Sequence, residues 1–559
     1  MRALSSTTRP WWRDAVIYQV YIRSFADGNG DGVGDVAGLR ARLPYLSALG
    51  VDALWLNPWY ASPQVDAGYD VSDYRRLDPL FGTLDDAESL IVEAHEHGLR
   101  VILDLVPNHT SDQHPWFQEA LAAGRGSKAR SRYHFRPGRG PDGAKPPTDW
   151  PSIFGGPAWT RTVDADGEPG DWYLHLFAPE QPDLDWTNPE VREEFEDILR
   201  FWLDLGVDGF RIDVAQGLTK DPAFPDLADL AGQTAGGMLD AAGTGHPYFD
   251  RDETLAIYED WRRVLDEYEG DRVFVAEAWV ADASRIARYL APKRLHTAFN
   301  FGLLSCPWEA DALRGEIDAT LRVLTGIGAP ATWVLSNHDV IRHATRYGRA
   351  KTSLGDAKGL YGSPVDHVLG ERRARAAVQL INALPGGTYV YQGEELGLPE
   401  VEDLPPSVWQ DPNRHHTAHV GPVRDGCRVP LPWSGIAPTF GFSPDGASAQ
   451  PWLPQPPEWR HRTATAEEQD PHSTLNHYRT LLRVRREWLH RGLGDTAPLE
   501  WIDAPAGVLA FRRGEVVCYV NLSDEAVQLP KGYRVLIASE PVGGGRLPAD
   551  VAAWLVRQQ

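Results

Sequence analysis

The sequence predicts an α/β fold: a closed (β/α)8 TIM barrel with a domain inserted after its third strand and a small antiparallel β domain at the C-terminal end. Three observations carry this reading. Eight short apolar runs recur along the chain, most followed by a polar loop and a helical pattern. About a hundred residues separate the third run from the fourth, and beyond residue 494 the pattern changes to short alternating runs.

The runs are AVIYQVYIRSF (15–25), VDALWLNP (51–58), LRVILDLVPNHT (99–110), GVDGFRIDVA (206–215), RVFVAEAW (272–279), HTAFNFGL (296–303), ATWVLSNHD (331–339) and GTYVYQGEELG (387–397). They are rich in β-branched and aromatic residues at consecutive positions, which suits strands buried on both faces of a parallel sheet. Helical patterns at 85–98 and 190–205 alternate with them. Eight such units favour closure into a barrel spanning 1–109 and 186–493. The insertion, 110–185, includes the Gly-, Pro- and Arg-rich stretch 124–150 and is predicted to rise beside the barrel mouth. GVLAFRRGEVVCYVNLS (507–523) and YRVLIAS (533–539) mark the C-terminal β domain, 494–559.

Composition excludes several functions. The 559 residues carry 55 Lys and Arg against 78 Asp and Glu, a net charge of −23, which repels phosphate backbones and anionic lipid. Neither nucleic acid nor membrane is an expected partner. Cys306, Cys427 and Cys518 lie far apart and offer no disulfide framework or zinc spacing. No signal-like start and no apolar run of membrane-spanning length is present, so a cytoplasmic protein, monomer or homodimer, is expected. Twenty-one tryptophans suit stacking on sugar rings, and equally suit a core.

Chemistry in such a barrel sits where strands end. The third strand delivers Asp104, Asn108 and His109, the fourth Arg211 and Asp213, the fifth Glu277, the seventh His338 and Asp339. Each carboxylate alone reads as a cap or loop partner. Several on one mouth point to glycoside hydrolysis, in which one carboxylate attacks the anomeric carbon and another, protonated, serves the leaving oxygen. Arg211, two residues before Asp213 on one strand face, is expected to keep Asp213 ionised, while Glu277 between apolar neighbours in VFVAEAW is expected to hold a proton.

GFRIDVA, FVAEAW, LSNHD and DLVPNH resemble the four conserved blocks of the α-amylase family of retaining glycoside hydrolases (glycoside hydrolase family 13). QPDL (181–184), VIYQVYIRSFADGNGDGVGD (16–35) and RDGCRVPLPW (424–433) resemble its oligo-1,6-glucosidase and α-glucosidase branch. The resemblance implies Asp213 as nucleophile, Glu277 as general acid and base, and Asp339 as the third carboxylate. It implies Arg211 as partner of the nucleophile, and His109 and His338 on the ring being cleaved. Asp66, Tyr69 and Arg424 would grip the terminal glucose, which implies removal of one glucose at a time.

DGNGDGVGD (27–35) has oxygen-bearing side chains at alternate positions. An EF-hand needs a bidentate acid at position twelve of the loop, where Gly38 stands, so a calcium sensor is excluded. The resemblance instead implies a fixed metal loop with Asp27, Asn29, Asp31, the Val33 carbonyl and Asp35 as ligands, calcium ahead of magnesium. The expected activity is a retaining exo-α-glucosidase on short maltose- or isomaltose-type oligosaccharides. The alternatives are a transglucosidase or sucrose/maltose-type isomerase using the same intermediate, and a non-catalytic amylase-like scaffold. Asp185 in place of the branch's usual Asn after QPDL, and RDGCRVPLPW in place of RTPMQW, depart from the family pattern.

Overall fold

The computed structural model describes residues 9–558 apart from 165, 231–244, 358–360, 416–422 and 495–496. Eight strands form one sheet: β1 (Val16–Val20), β2 (Ala53–Leu56), β3 (Arg100–Leu105), β4 (Gly209–Ile212), β5 (Val273–Ala276), β6 (Thr297–Ala298), β7 (Thr332–Trp333) and β8 (Gly387–Tyr391). Their order is β6-β5-β4-β3-β2-β1-β8-β7, and every neighbouring pair is parallel. At the seam between the two-residue strands β6 and β7, the Thr332 hydroxyl donates to the Ala298 carbonyl. The expected barrel is therefore present, with its weakest pairing at that seam.

Every residue of β1, β2, β4, β5 and β8 is buried, as the continuous apolar runs require. Inside the barrel, Ile17, Trp55, Ile102, Val275, Phe299 and Tyr389 pack into one cluster. Outside lie amphipathic helices such as Leu84–Glu96 and Pro189–Asp204. The first starts at a capping box between Thr83 and Asp86; the second has Asn188 as N-cap and Pro189 in the first turn, and buries Val191, Phe195, Ile198, Leu199 and Trp202 on one face.

Register positions the chemistry. Arg211 on β4 lies opposite Asp104 on β3 and Val275 on β5. Asp213 N–H donates to Leu105 O (2.9 Å) and Glu277 N–H to Ile212 O (3.0 Å), so the ladder extends one residue beyond each strand and holds both residues at the same level of the mouth.

Within the insertion, Phe135–Arg136 and Trp159–Val163 flank Pro169–Leu174 in an antiparallel sheet, a bridge joins Tyr133 to Leu184, and a bridge from His109 to Asp183 pins the insertion to the β3 loop. A second antiparallel sheet runs in the order Glu500–Trp501, Val508–Arg513, Val516–Asn521, Val551–Arg557, Tyr533–Ala538. It docks on helix His367–Ala383, where Trp554 Nε1 donates to Gln379 O and Gln379 Nε2 to Ile537 O, both at 3.1 Å. Cys306, Cys427 and Cys518 are free. Among the described residues no helix is long and apolar enough to cross a membrane.

Candidate active site

One guanidinium organises the mouth. Arg211 Nη1 donates to Asp213 Oδ1 (2.5 Å) and Asp104 Oδ1 (2.8 Å), and its Nη2 lies 2.8 Å from Glu277 Oε2. The group is buried, with its face 5.1 Å from the Trp55 ring. Glu277 also accepts from the Val214 N–H (2.9 Å) and Trp279 Nε1 (3.2 Å). Val214 has φ +44, a left-handed conformation that a β-branched residue holds only where its surroundings enforce it. That turn aims the Val214 N–H at Glu277.

At Asp213 the electrostatics run against the expectation that Arg211 alone keeps it ionised. Burial pushes Asp213 well above the usual carboxylate range; Arg211 opposes this, while Glu277 and Asp104 reinforce it. Glu277 is buried, and the three donors Arg211, Val214 N–H and Trp279 converge on it. Burial also raises Asp104, to about 7, against Arg211 and Tyr69. Three buried carboxylates share one fixed positive charge, and burial of the excess negative charge favours keeping a proton within the group.

Asp339 has cations of its own. Its Oδ1 accepts from Arg424 Nη1 (3.0 Å) and Arg428 Nη2 (2.9 Å). Burial alone raises its proton affinity, but the fixed charges of Arg424 and Arg428 hold it below the usual range. Arg424 Nη2 also donates to Asp66 Oδ1 (2.8 Å), which ties Asp66 to the Asp339 cluster. Asp411 anchors this arginine, accepting from its Nε (2.9 Å), Nη2 (3.0 Å) and backbone N–H (2.9 Å). Burial opposes ionisation of Asp411, yet Arg424 brings it down to about 2.

His109 and His338 are buried; desolvation takes His109 down to about 4 and His338 well below its ordinary value, so both are neutral around pH 7. His109 Nε2 lies 3.0 Å from Gln181 Nε2, which reaches Asp66 Oδ2 at 3.4 Å. Tyr69 stacks parallel to His338 with centroids 5.5 Å apart, and its hydroxyl donates to Asp104 Oδ2 at 3.0 Å. The nine residues that the resemblance implied are thus joined in one network.

A family model for the alpha amylase catalytic domain matches residues 19–492. The chain belongs to the alpha-amylase family. A second model, a domain of unknown function, matches 497–554. The chain is 38% identical over 542 residues to a probable alpha-glucosidase of Rhizobium meliloti, covering 94% of this chain and 91% of that one. It is 34% identical over 510 residues to an oligo-1,6-glucosidase of Parageobacillus thermoglucosidasius, covering 86% and 84%. Among solved structures, the alpha-glucosyl transfer enzyme XgtA superposes with a TM-score of 0.83 at 36% identity, covering 99% and 100%. The trehalulose synthase MutB of Pseudomonas mesoacidophila superposes with a TM-score of 0.81 at 30% identity, also covering 99% and 100%. This alpha-amylase family member is a glycoside hydrolase of the oligo-1,6-glucosidase and α-glucosidase branch.

Sequence reading did not single out Gln19, Asn57, Gln181, Asp411, Arg428 or Trp279. Gln19, Gln181 and Arg428 lie inside VIYQVYIRSFADGNGDGVGD, QPDL and RDGCRVPLPW, and Trp279 closes FVAEAW; those motifs were the available signal. For Asn57 and Asp411 nothing local marks the role.

In the loop 27–35, Asp27 accepts from the Asn29, Gly30 and Gly32 N–H groups, and Asp35 from Gly28, Asn29 and Gly38, the last as N-cap of helix Val36–Ala41. Asn29 and Asp31 each accept from the N–H two residues on. Among the described residues no group of three or more His, Cys, Asp or Glu is gathered as a metal cluster. The donor chemistry nevertheless suits a hard cation, with three carboxylates, an amide oxygen and a backbone carbonyl available. Asp27 and Asp35 are both buried; burial raises Asp35 and Asp27 adds to it, a repulsion that a cation would relieve.

Proposed function

We propose that the enzyme is a retaining exo-α-glucosidase that removes terminal glucose from short α-linked oligosaccharides through a glucosyl-enzyme on Asp213. The observation that carries this is the sharing of Arg211 between Asp213 and Glu277, which aims an attacking and a donating carboxylate at one point from adjacent strands. Asp213 attacks the anomeric carbon as Glu277 gives its proton to the glycosidic oxygen. Glu277 then takes a proton from water, which opens the ester with retention. Asp339, between Arg424 and Arg428, stays ionised and accepts from sugar hydroxyls. Neutral His109 and His338 bond hydroxyls of the same ring, and Asp66 with Arg424 closes the non-reducing end.

A calcium ion on Asp27, Asn29, Asp31, the Val33 carbonyl and Asp35 would brace the loop after β1 and supply no chemistry. A cytoplasmic monomer or homodimer completes the proposal. Asp213→Asn is expected to lower glucose release by on the order of 10⁴-fold or more with the fold retained by circular dichroism; substantial residual turnover would refute the assignment.

A second reading, transfer of the glucosyl unit to another sugar, is favoured by one feature. Trp279 and Phe301 stack with centroids 3.7 Å apart and planes at 7°, and Trp279 bonds Glu277. An aromatic pair beside the proton donor suits the departing or incoming sugar. Product analysis at high substrate separates the readings, glucose alone for hydrolysis and new disaccharides for transfer.

A further inference from the structure

Beneath the sugar pocket lies a closed ring of hydrogen bonds that no proposed step uses. Gln19, at the fourth position of β1, sends Nε2 to Asn57 Oδ1 (2.9 Å) and to within 2.7 Å of His338 Nδ1. Asn57, one residue past β2, donates Nδ2–H to the Tyr69 hydroxyl at 2.7 Å. His338 Nε2 lies 2.7 Å from the same hydroxyl, which donates its single hydrogen to Asp104. Gln19, Asn57 and His338 are all at most 2% exposed, so water does not share these bonds.

The hydrogen count decides the arrangement. If Gln19 and Asn57 both donate as described, the Tyr69 oxygen accepts two hydrogens, from Asn57 Nδ2 and His338 Nε2, and gives one to Asp104. Turning both amides over leaves the one Tyr69 hydrogen facing three acceptors, Asn57 Oδ1, His338 Nε2 and Asp104 Oδ2. Only the first arrangement gives every nitrogen and oxygen around the Tyr69 hydroxyl a partner of the right kind. Its cost is the Gln19 Oε1, which is buried without a partner among the described residues.

We propose that Gln19 is a positioning residue: its amide fixes His338 as the neutral imidazole with the hydrogen on Nε2, so that the single hydrogen of this nitrogen goes to Tyr69 or Asp339 in the free site and is the one presented to a sugar hydroxyl when one binds. A doubly protonated His338 would set N–H against N–H at Nδ1. The groups facing the ring are consistent with this. Asp339 Oδ2 lies 3.1 Å from Nε2 and favours the cation, while Arg211, Arg424 and Arg428 disfavour it. Tyr69 and Tyr21 stack on the ring and Trp55 meets it edge-on, with no charge of their own. Asp104 acts only through Tyr69.

The inference rests on the reading that His338 faces the sugar, and its test separates the two. In protein labelled with ¹⁵N-histidine, with His338 assigned by the signal lost in His338→Gln, Nδ1 is expected to show the shift of an unprotonated ring nitrogen and Nε2 that of a protonated one. A protonated Nδ1 overturns the proposal, whatever the activity and even if Gln19 variants fail to fold. In Gln19→Glu the new carboxylate accepts from Nδ1–H and raises the histidine pKa. With 4-nitrophenyl α-glucoside, kcat is expected to fall by on the order of 10²-fold or more, as a wrong histidine tautomer costs elsewhere, and the acid limb of the profile moves to higher pH. In Gln19→Leu the loss occurs without that movement. Folded variants with unchanged kcat, KM and pH profile refute the role of Gln19, whereas a wild-type protein that cleaves no α-glucoside refutes the functional reading instead.

Discussion

Asp104, Asp213 and Glu277 lean on a single arginine, and this shared charge sets the pH behaviour of the site. Asp104 raises the proton affinity of Asp213 by repulsion. Replacing it by Asn removes that repulsion, so the acid limb of kcat/KM in Asp104→Asn is expected to lie at lower pH; a limb that stays or moves upward contradicts the coupling. Asp411 makes a stability prediction. Its folded pKa of about 2 lies below the roughly 3.9 of an unfolded aspartate. Its ionisation thus stabilises the fold fully above about pH 4 and is lost as the pH falls through about 2. Urea titrations of Asp411→Asn between those pH values should show a shallower loss of stability than wild type. Such acids at strand ends were legible in the sequence because several of them fall at equivalent positions. Gln19 and His338 were not legible as a pair, since 319 residues separate them and only closure of the barrel brings them together.

At the level of elements, the apolar runs identified every barrel strand, because a strand buried on both faces has no polar alternation to hide it. Strands β6 and β7 are shorter than their runs, and His338 and Asp339 stand five and six residues past β7 on a loop. The strand Val551–Arg557, interior to the C-terminal sheet, escaped notice because Val551 to Val556 are all buried and lack polar alternation. The loop 27–35 was legible as a pattern of oxygens, while its backbone hydrogen bonds were not. If it holds calcium, chelation should lower the melting temperature more than it lowers activity per folded molecule. A scan with and without chelator that shows no difference removes the ion from the account.

Taken whole, the chain joins Arg424 to Asp66 beside its chemistry and sets Phe154 of the insertion 5.3 Å from the Arg424 guanidinium, and in the proposed reading this is the closed end of the sugar pocket. A blind pocket predicts that maltotetraose is shortened by one glucose at a time, with maltotriose as the first partner product; early maltose in excess of glucose would contradict it. The net charge of −23 that argued against polyanionic partners imposes no such selection on neutral sugars. The central claim is the covalent glucosyl-enzyme. Peptide mass spectrometry after reaction with a slow-turnover 5-fluoro-α-glucosyl fluoride tests it most directly. One fluoroglucosyl unit on the peptide and side chain of Asp213 is the predicted result, and a label on Glu277, or none while the reagent is consumed, would contradict it.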